Sequence, residues 1–255
     1  MDTLTQRFDA ICERMENAAI RSDRKVDGVQ LIAVSKLHDA ATVAELARYW
    51  AKHSSLCART PAFGENYMQE AREKIPAVNE MLGATASGLR WHFTGHLQSK
   101  KAKDVVGLFD LIHSVDSLKL ASSLQKAWQS RVATQPVGLH EEAPAPQAVL
   151  IQVNVGREEQ KSGVDPDDLE ELVNGIAAMP ELNLQGLMCL PPLSEIGAAS
   201  RRYFVMLREL RDAMRARTAQ PLPHLSMGMS DDFEAAIEEG ATLVRVGTSI
   251  FGPRA

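Results

Sequence analysis

Lys36 ends the stretch Leu31-Ile32-Ala33-Val34-Ser35-Lys36, in which mostly apolar, partly β-branched residues run into a single cation. Read as a strand, its side chains alternate between faces, so Ile32, Val34 and Lys36 share one. A lysine closing a buried strand is costly to keep charged. Burial lowers its pKa and frees the amine to attack carbonyls, which is the chemistry of Schiff-base formation. The plainer alternative is a lysine snorkelling past the strand end into water, and Lys36 alone does not separate the two. Two other stretches bear on the choice. Ser226-Met227-Gly228-Met229-Ser230 offers hydroxyls and flexible backbone ahead of a helix, and Gly247-Thr248 offers close N–H groups and another hydroxyl. Helix N-termini attract phosphate, although Asp231 and Asp232 already occupy the positive end of the helix that follows Ser230. Arg245 precedes Gly247 by two and shares its inward face, where a guanidinium can hydrogen-bond a ring nitrogen or an anionic oxygen. The same residues would serve equally as turn glycines and serines, and as an arginine paired with a helix acid.

Those residues combine only if the fold brings them together. Leu4, Phe8, Ile11, Met15 and Ala19 recur at helical spacing. After the Lys36 strand, Ala40 to Lys52 reads as a helix with Asp39 as N-cap. Ser55 to Gly64 carries a poorly marked strand, and Tyr67 to Met81 a helix disturbed by Pro76. Leu89 to Gly95 alternates as a strand, with a short helix led by 96–101. Leu108 to Val115 is a strand, and Asp116 caps a helix running to about Arg131. Residues 132–146 lack periodicity and hold several prolines, which predicts a surface loop or insertion. Ala148 to Val155 is a strand. Pro166 to Met179 is a helix with Asp165 as N-cap and proline at its first position. Leu184 to Leu190, Pro223 to Met227 and Thr242 to Val246 are strands. They are separated by helices at 199–217 and 231–239, the second capped by Asp231. Eight strands alternating with helices predict a parallel sheet. The 255 residues match the roughly 250 of one (β/α)8 barrel of TIM type. The other option, an open doubly wound sheet, lacks any GxGxxG after a strand. In a barrel the functional groups lie at strand C-terminal ends. That gathers Lys36; Glu65 and Asn66; His92, Thr94 and His96; His113 and Asp116; Asn154; Met188; 226–230; and 245–248.

Composition narrows the field. A net charge of −5 argues against a nucleic-acid binder and against an anionic membrane surface. Cys12, Cys57 and Cys189 make no CxxC and no disulfide framework, which predicts a reducing compartment. The first 22 residues carry acids throughout and no apolar core, so they do not read as a signal peptide. No run of about 18 apolar residues exists to span a membrane. The expectation is a cytoplasmic protein.

A carbonyl-reactive lysine on strand 1 then faces a phosphate site at strands 7 and 8, with an arginine near the ring. Together they describe pyridoxal 5′-phosphate (PLP) held on Lys36. Here the chain resembles the pyridoxal phosphate homeostasis proteins, also known as proline synthase co-transcribed homologues, which are similar to the N-terminal barrel of alanine racemase. The matching stretches are AVSK (33–36), FGENYMQE (63–70), WHFTGHLQSKK (91–101), IHSVDSLKLA (112–121), KSG (161–163), GLM (186–188) and LSMGMSDDFEAAIEEGATLVRVGTSIFG (225–252). The resemblance implies that Lys36 carries the cofactor as a Schiff base. It also implies that Ser226, Gly228, Gly247 and Thr248 hold its phosphate, that Arg245 approaches the pyridine nitrogen, and that Asn66 and Met188 line the pocket. His96 and Lys100 stand where members often have proline and asparagine, and the 132–146 loop is longer than usual. Arginine cannot take up the ring-nitrogen proton, so the carbanion of amino-acid chemistry would be weakly stabilised. Racemases of this type add a tyrosine from a second domain, and no sequence for one follows the eighth strand. Tyr67 is the one tyrosine expected near the mouth. The expectation is therefore a monomeric, non-catalytic protein that buffers PLP or hands it to apo-enzymes. A single-domain PLP-dependent amino-acid racemase or related amino-acid enzyme is the alternative.

Other candidates weigh less. His92 and His96 have no third ligand, so no metal site is expected. Lys161, the rival Schiff-base lysine, sits near Glu158 and Glu159. Cys189 lacks an acid–base partner and reads as a packed residue. Lys100, Lys101 and Lys103 read as a solvated helix face.

Overall fold

The computed structural model describes residues 2–53, 60–134 and 144–253. Eight parallel strands close into a barrel in sequence order: β1 Gln30–Val34, β2 Ala62–Glu65, β3 Arg90–Phe93, β4 Leu111–Val115, β5 Gln147–Val153, β6 Leu182–Cys189, β7 His224–Ser226 and β8 Leu243–Val246. Around them run α1 Leu4–Arg21, α2 Ala40–Lys52, α3 Met68–Leu82, α4 Ala102–Val105, α5 Leu118–Ala133, α6 Leu169–Ala177, α7 Arg201–Thr218, α8 Phe233–Glu238 and α9 Thr248–Phe251. The predicted α/β barrel is the observed one.

Strand alternation divides the interior into two cores. Outward residues such as Leu31, Ala33, Phe63, Trp91, Ile112, Ile151, Leu187, Leu225 and Val244 pack against the helices. Inward residues Ile32, Leu111, Leu150, Met188 and Leu243 form a separate cluster inside the barrel, the filled interior expected of this fold. The outer core includes Phe8 against Trp50, with ring centroids 4.8 Å apart. Register fixes the neighbours of the Lys36 strand: Ile32 lies beside Arg245 and Ala33 beside Val246.

Several boundaries differ from expectation. β1 stops at Val34, and Lys36 lies in the turn that follows. β3 keeps only Arg90–Phe93 of the predicted 89–95. α5 is capped by Ser117, whose hydroxyl accepts from Leu120 N, rather than by Asp116. Helix α5 also runs on to Ala133. Of the predicted 132–146 loop, 135–143 lies outside the described residues, as does the 54–59 portion of the stretch before β2. α8 begins after Asp232, not Asp231. Cys12 is disulfide-bonded. This overturns the expected absence of disulfides. Cys189 is free and buried. Among the described residues, no helix is long and apolar enough to cross a membrane.

Candidate functional site

At the strand C-terminal ends a pocket of about 480 Å³ opens, within the usual range for a small-molecule site. Val34, Lys36 and His38 enter its wall from the β1 turn, Asn66 from β2, and Thr94 and His96 from beyond β3. Gln152 and Asn154 come from β5, Lys161 and Ser162 from the loop after it, and Leu190 and Pro191 from the end of β6. Met229 and Ser230 come from the β7 loop, and Arg245, Gly247 and Thr248 from β8 and the start of α9. Lys36, Asn66, Arg245, Gly247 and Thr248 therefore share one cavity. Met188, Ser226 and Gly228 are not in its wall. Met188 belongs to the cluster inside the barrel. Gly228 lies against α8: a Cβ there would stand 2.6 Å from Ala236 Cβ, and its φ of +89° suits glycine. Tyr67 is also outside the wall, 51% exposed beside it in sequence.

The wall is cationic. Lys36, Lys161 and Arg245 line it, and among the described residues no carboxylate does. In a chain of net charge −5 this concentrates positive potential where a ligand enters, and a concave site focuses it further. Lys161 is partly neutralised by Glu158 Oε2 at 2.7 Å. Lys36 is half-buried and lines the cavity. Thr94 Oγ1 donates to Asn66 Oδ1 at 2.8 Å, which leaves the Asn66 amide N–H₂ for the pocket. Gly95 permits that approach, because a Cβ there would lie 2.2 Å from Asn66 O. In the β7 loop, Asp232 Oδ1 already accepts from Met229 N at 2.7 Å. That half of the expected phosphate site is thus reduced to Ser230. The Gly247–Thr248 half is stronger, since the first N–H groups of α9 have no carbonyl before them.

Arg245 forms the floor. It is buried, and its Nη1 donates to Ser226 Oγ at 2.6 Å while Nη2 donates to Cys189 O at 2.9 Å. Behind it runs a chain of buried polar groups that sequence reasoning had placed at the mouth. Ser226 Oγ lies 2.9 Å from His113 Nδ1, and His113 Nε2 lies 2.9 Å from His92 Nδ1. The guanidinium can only donate, so Ser226 accepts from it. The bonds from Ser226 through His113 to His92 run in the direction that the His113 tautomer sets. Both imidazoles are neutral: burial pulls His92 down to about 3 and His113 well below the usual histidine range. Burial also pushes the Cys189 thiol up to about 12, which rules it out as a nucleophile near neutral pH.

Sequence reasoning missed His38 and Gln152. Each carried a signal, since His38 follows Lys36 by two and Gln152 interrupts an otherwise apolar inward face after Leu150. It also read Glu65 as a mouth residue. Glu65 is fully buried and faces Lys74 of α3 at 2.8 Å. No three histidines, cysteines or carboxylates are grouped to hold a metal among the described residues.

The sequence model of the alanine racemase N-terminal domain matches residues 8–255. The pyridoxal phosphate homeostasis protein of Aquifex aeolicus (strain VF5) is 39% identical over 98% of this chain and 97% of its own. That of Escherichia coli (strain K12) is 38% identical over 100% and 98%. PipY of Synechococcus elongatus PCC7942, solved with PLP bound, superposes with a TM-score of 0.73 at 34% identity, covering 95% of this chain and 100% of that one. Alanine racemase of Clostridium difficile 630 shares the fold, with a TM-score of 0.68 at 14% identity, and this chain spans 56% of it. The chain belongs to the alanine racemase N-terminal domain family and, within it, to the pyridoxal phosphate homeostasis proteins.

Proposed function

We propose that this protein binds PLP as a Schiff base on Lys36 and holds it for intracellular homeostasis, buffering the cofactor or delivering it to apo-enzymes, with no substantial turnover of amino acids. The observation that carries the reading is the placement of Lys36 in one cationic cavity with Arg245, Gly247 and Thr248. An aldehyde bearing a phosphate fits that donor set. Lys36 would take the aldehyde, and the Gly247–Thr248 backbone and hydroxyl, with Ser230, would take the phosphate. Arg245 would lie under the ring, and the Asn66 amide would line it. Ser226, Gly228 and Met188 would act from behind, Ser226 by holding Arg245. PipY, solved with PLP bound, supports the ligand. When bound, PLP supplies an electron sink, and this site does little to exploit it. Arg245 cannot accept the ring-nitrogen proton. The wall offers no tyrosine or carboxylate as a second base. Its two imidazoles are engaged, His38 stacked on Phe251 and His96 at 2.9 Å from Ser162 Oγ.

The working unit in this reading is one barrel domain acting as a monomer. Its compartment is the cytoplasm, where apo-enzymes are made. The disulfide-bonded Cys12 weighs against that compartment, and a thiol count on protein purified under alkylating conditions decides it. For the central reading, the wild-type protein mixed with PLP develops a visible Schiff-base band that Lys36→Ala abolishes. A band that survives in that variant overturns the anchor. Sustained racemisation or keto-acid release from a panel of L- and D-amino acids overturns the non-catalytic reading in favour of a single-barrel amino-acid enzyme.

A further inference from the structure

Lys74, on the inner side of α3, is only 6% exposed and takes no part in the pocket wall. An ammonium has three N–H donors, and all three are committed. They go to Ser35 O at 2.7 Å, Glu65 Oε1 at 2.8 Å and Glu70 Oε1. The two carboxylates in turn grip the chain on either side of Lys36. Glu65 Oε1 accepts from Ser35 Oγ at 2.7 Å, and Glu70 Oε1 accepts from Leu37 N at 2.6 Å. Leu37 has a φ of +64°, an uncommon conformation for a side chain of its size that must be held by its surroundings. A buried ion pair is a poor source of stability compared with apolar packing. What this one secures is geometry: both neighbours of Lys36 are tied by charge-assisted bonds, while Lys36 itself lines the cavity.

We infer that Lys74, together with Glu65 and Glu70, is a positioning device that fixes the Ser35–Leu37 turn and so presents the Lys36 amine to an incoming aldehyde. The inference rests on the reading of Lys36 as the covalent anchor. In that step the Nζ lone pair bonds to the aldehyde carbon. The carbonyl oxygen departs as water with the two amine hydrogens, leaving a C=N bond and requiring no oxidant. The clamp touches neither reactant. It restricts the backbone from which Nζ must approach, and misplacement of a reacting group by about 1 Å is enough to slow a reaction a hundredfold.

The experiment is stopped-flow absorbance on mixing PLP with cofactor-free full-length protein, paired with visible circular dichroism of the bound chromophore. Glu70→Ala removes the Leu37 acceptor at the solvent edge of the cluster, where the helix tolerates alanine. The expected result is a band that grows about tenfold more slowly, the factor that about 1.4 kcal/mol of lost charge-assisted bonding implies, with altered dichroism and an unchanged far-ultraviolet spectrum. Lys74→Met acts in the same direction, and Glu73→Gln on the same helix matches wild type. Wild-type rate and dichroism in folded Glu70→Ala overturn the inference even if Lys74→Met fails to fold. A wild-type protein that gives no band overturns the anchor reading and this inference with it.

Discussion

The chain of buried histidines behind Arg245 makes stability depend on pH in a way that can be worked out. In the unfolded chain an imidazole titrates near 6.5, whereas folded His92 stays neutral down to about 3, chiefly through burial and then through the charges of His224 and Arg90. Between those limits the unfolded state binds more protons, so folding stability is fully present above pH 6.5 and is lost as the pH falls toward 3. From pH 7 to pH 5 the excess protonation amounts to about 1.4 pH units, at 1.36 kcal/mol each. That is about 2 kcal/mol for His92. His113 is shifted in the same direction, by burial first and then by His92, Arg245 and His224, and adds to the loss. His92→Gln offers both an acceptor and a donor to His113 Nε2 and cannot titrate. Urea unfolding of both proteins at pH 7 and pH 5 measures the difference. The variant should be somewhat less stable at pH 7, by about 1 kcal/mol for an imperfect hydrogen bond, yet lose about 2 kcal/mol less than wild type on going to pH 5. Equal losses in the two proteins would refute the neutral chain, because His92 would then already carry its proton inside the barrel.

Three further outcomes follow from particular contacts. Gly228→Ala forces a side chain onto a φ of +89° and a Cβ to 2.6 Å from Ala236 Cβ. It should cost about 3 kcal/mol in urea unfolding, and a loss under about 0.5 kcal/mol would show that the β7 loop repacks freely. Cys189, buried with its thiol pushed up to about 12, should resist maleimide at pH 8 in the native state and label on unfolding, as peptide mapping reports. Thr248→Val removes a pocket hydroxyl without changing volume. PLP affinity should fall about tenfold, and free pyridoxal, lacking the phosphate, should bind both proteins alike. An equal loss for pyridoxal would move the phosphate elsewhere.

The parts of the fold that were legible in the sequence are those decided locally. Helix α2 was readable to the residue because Asp39 caps it directly, accepting from Thr42 N at 2.7 Å, and its apolar face repeats without interruption. Eight strands and their parallel order followed from the alternation of periods. Ends were misread where two neighbours could each serve as a cap. Ser117 displaced Asp116, and Asp232 displaced Asp231, because the choice depends on which residue takes up the non-helical backbone conformation, and tertiary packing sets that. β3 was drawn too long because Thr94 and Gly95 continue the alternation, yet Gly95 turns in close against Asn66. The clamp at Lys74 was not legible at all. Lys74 sits at i+4 from Glu70 on a helix, a pattern that ordinarily marks a solvated surface pair, and only its distance to Ser35 O reveals burial against β1.

The site was legible in one dimension and not in another. Strand alternation tells which face a residue takes, and Arg245 takes the inward face expected of it. It does not tell height along the barrel axis. Met188 and Ser226 lie opposite each other in register, and both fall below the pocket floor. Arg245 reaches the floor from β8 because its side chain is long enough to bond downward to Ser226 and Cys189 O and still line the cavity. Ser226, paired with Leu243 one step below Arg245, has too short a side chain to do so. Its role passes to the residue it can touch, and Ser226 becomes the link between the cation at the pocket floor and two neutral imidazoles within. The same reasoning separates Lys36 from a strand lysine. Because β1 ends at Val34, Lys36 is placed by a turn. Backbone bonds from Ser35 N to Gly64 O and from His38 N to Ser35 O bracket it, and the carboxylates of buried Glu65 and part-exposed Glu70 bond its two neighbours. The apolar strand and the reactive amine were both read correctly, but what joins them lies behind the barrel wall, in residues that no spacing along the chain connects.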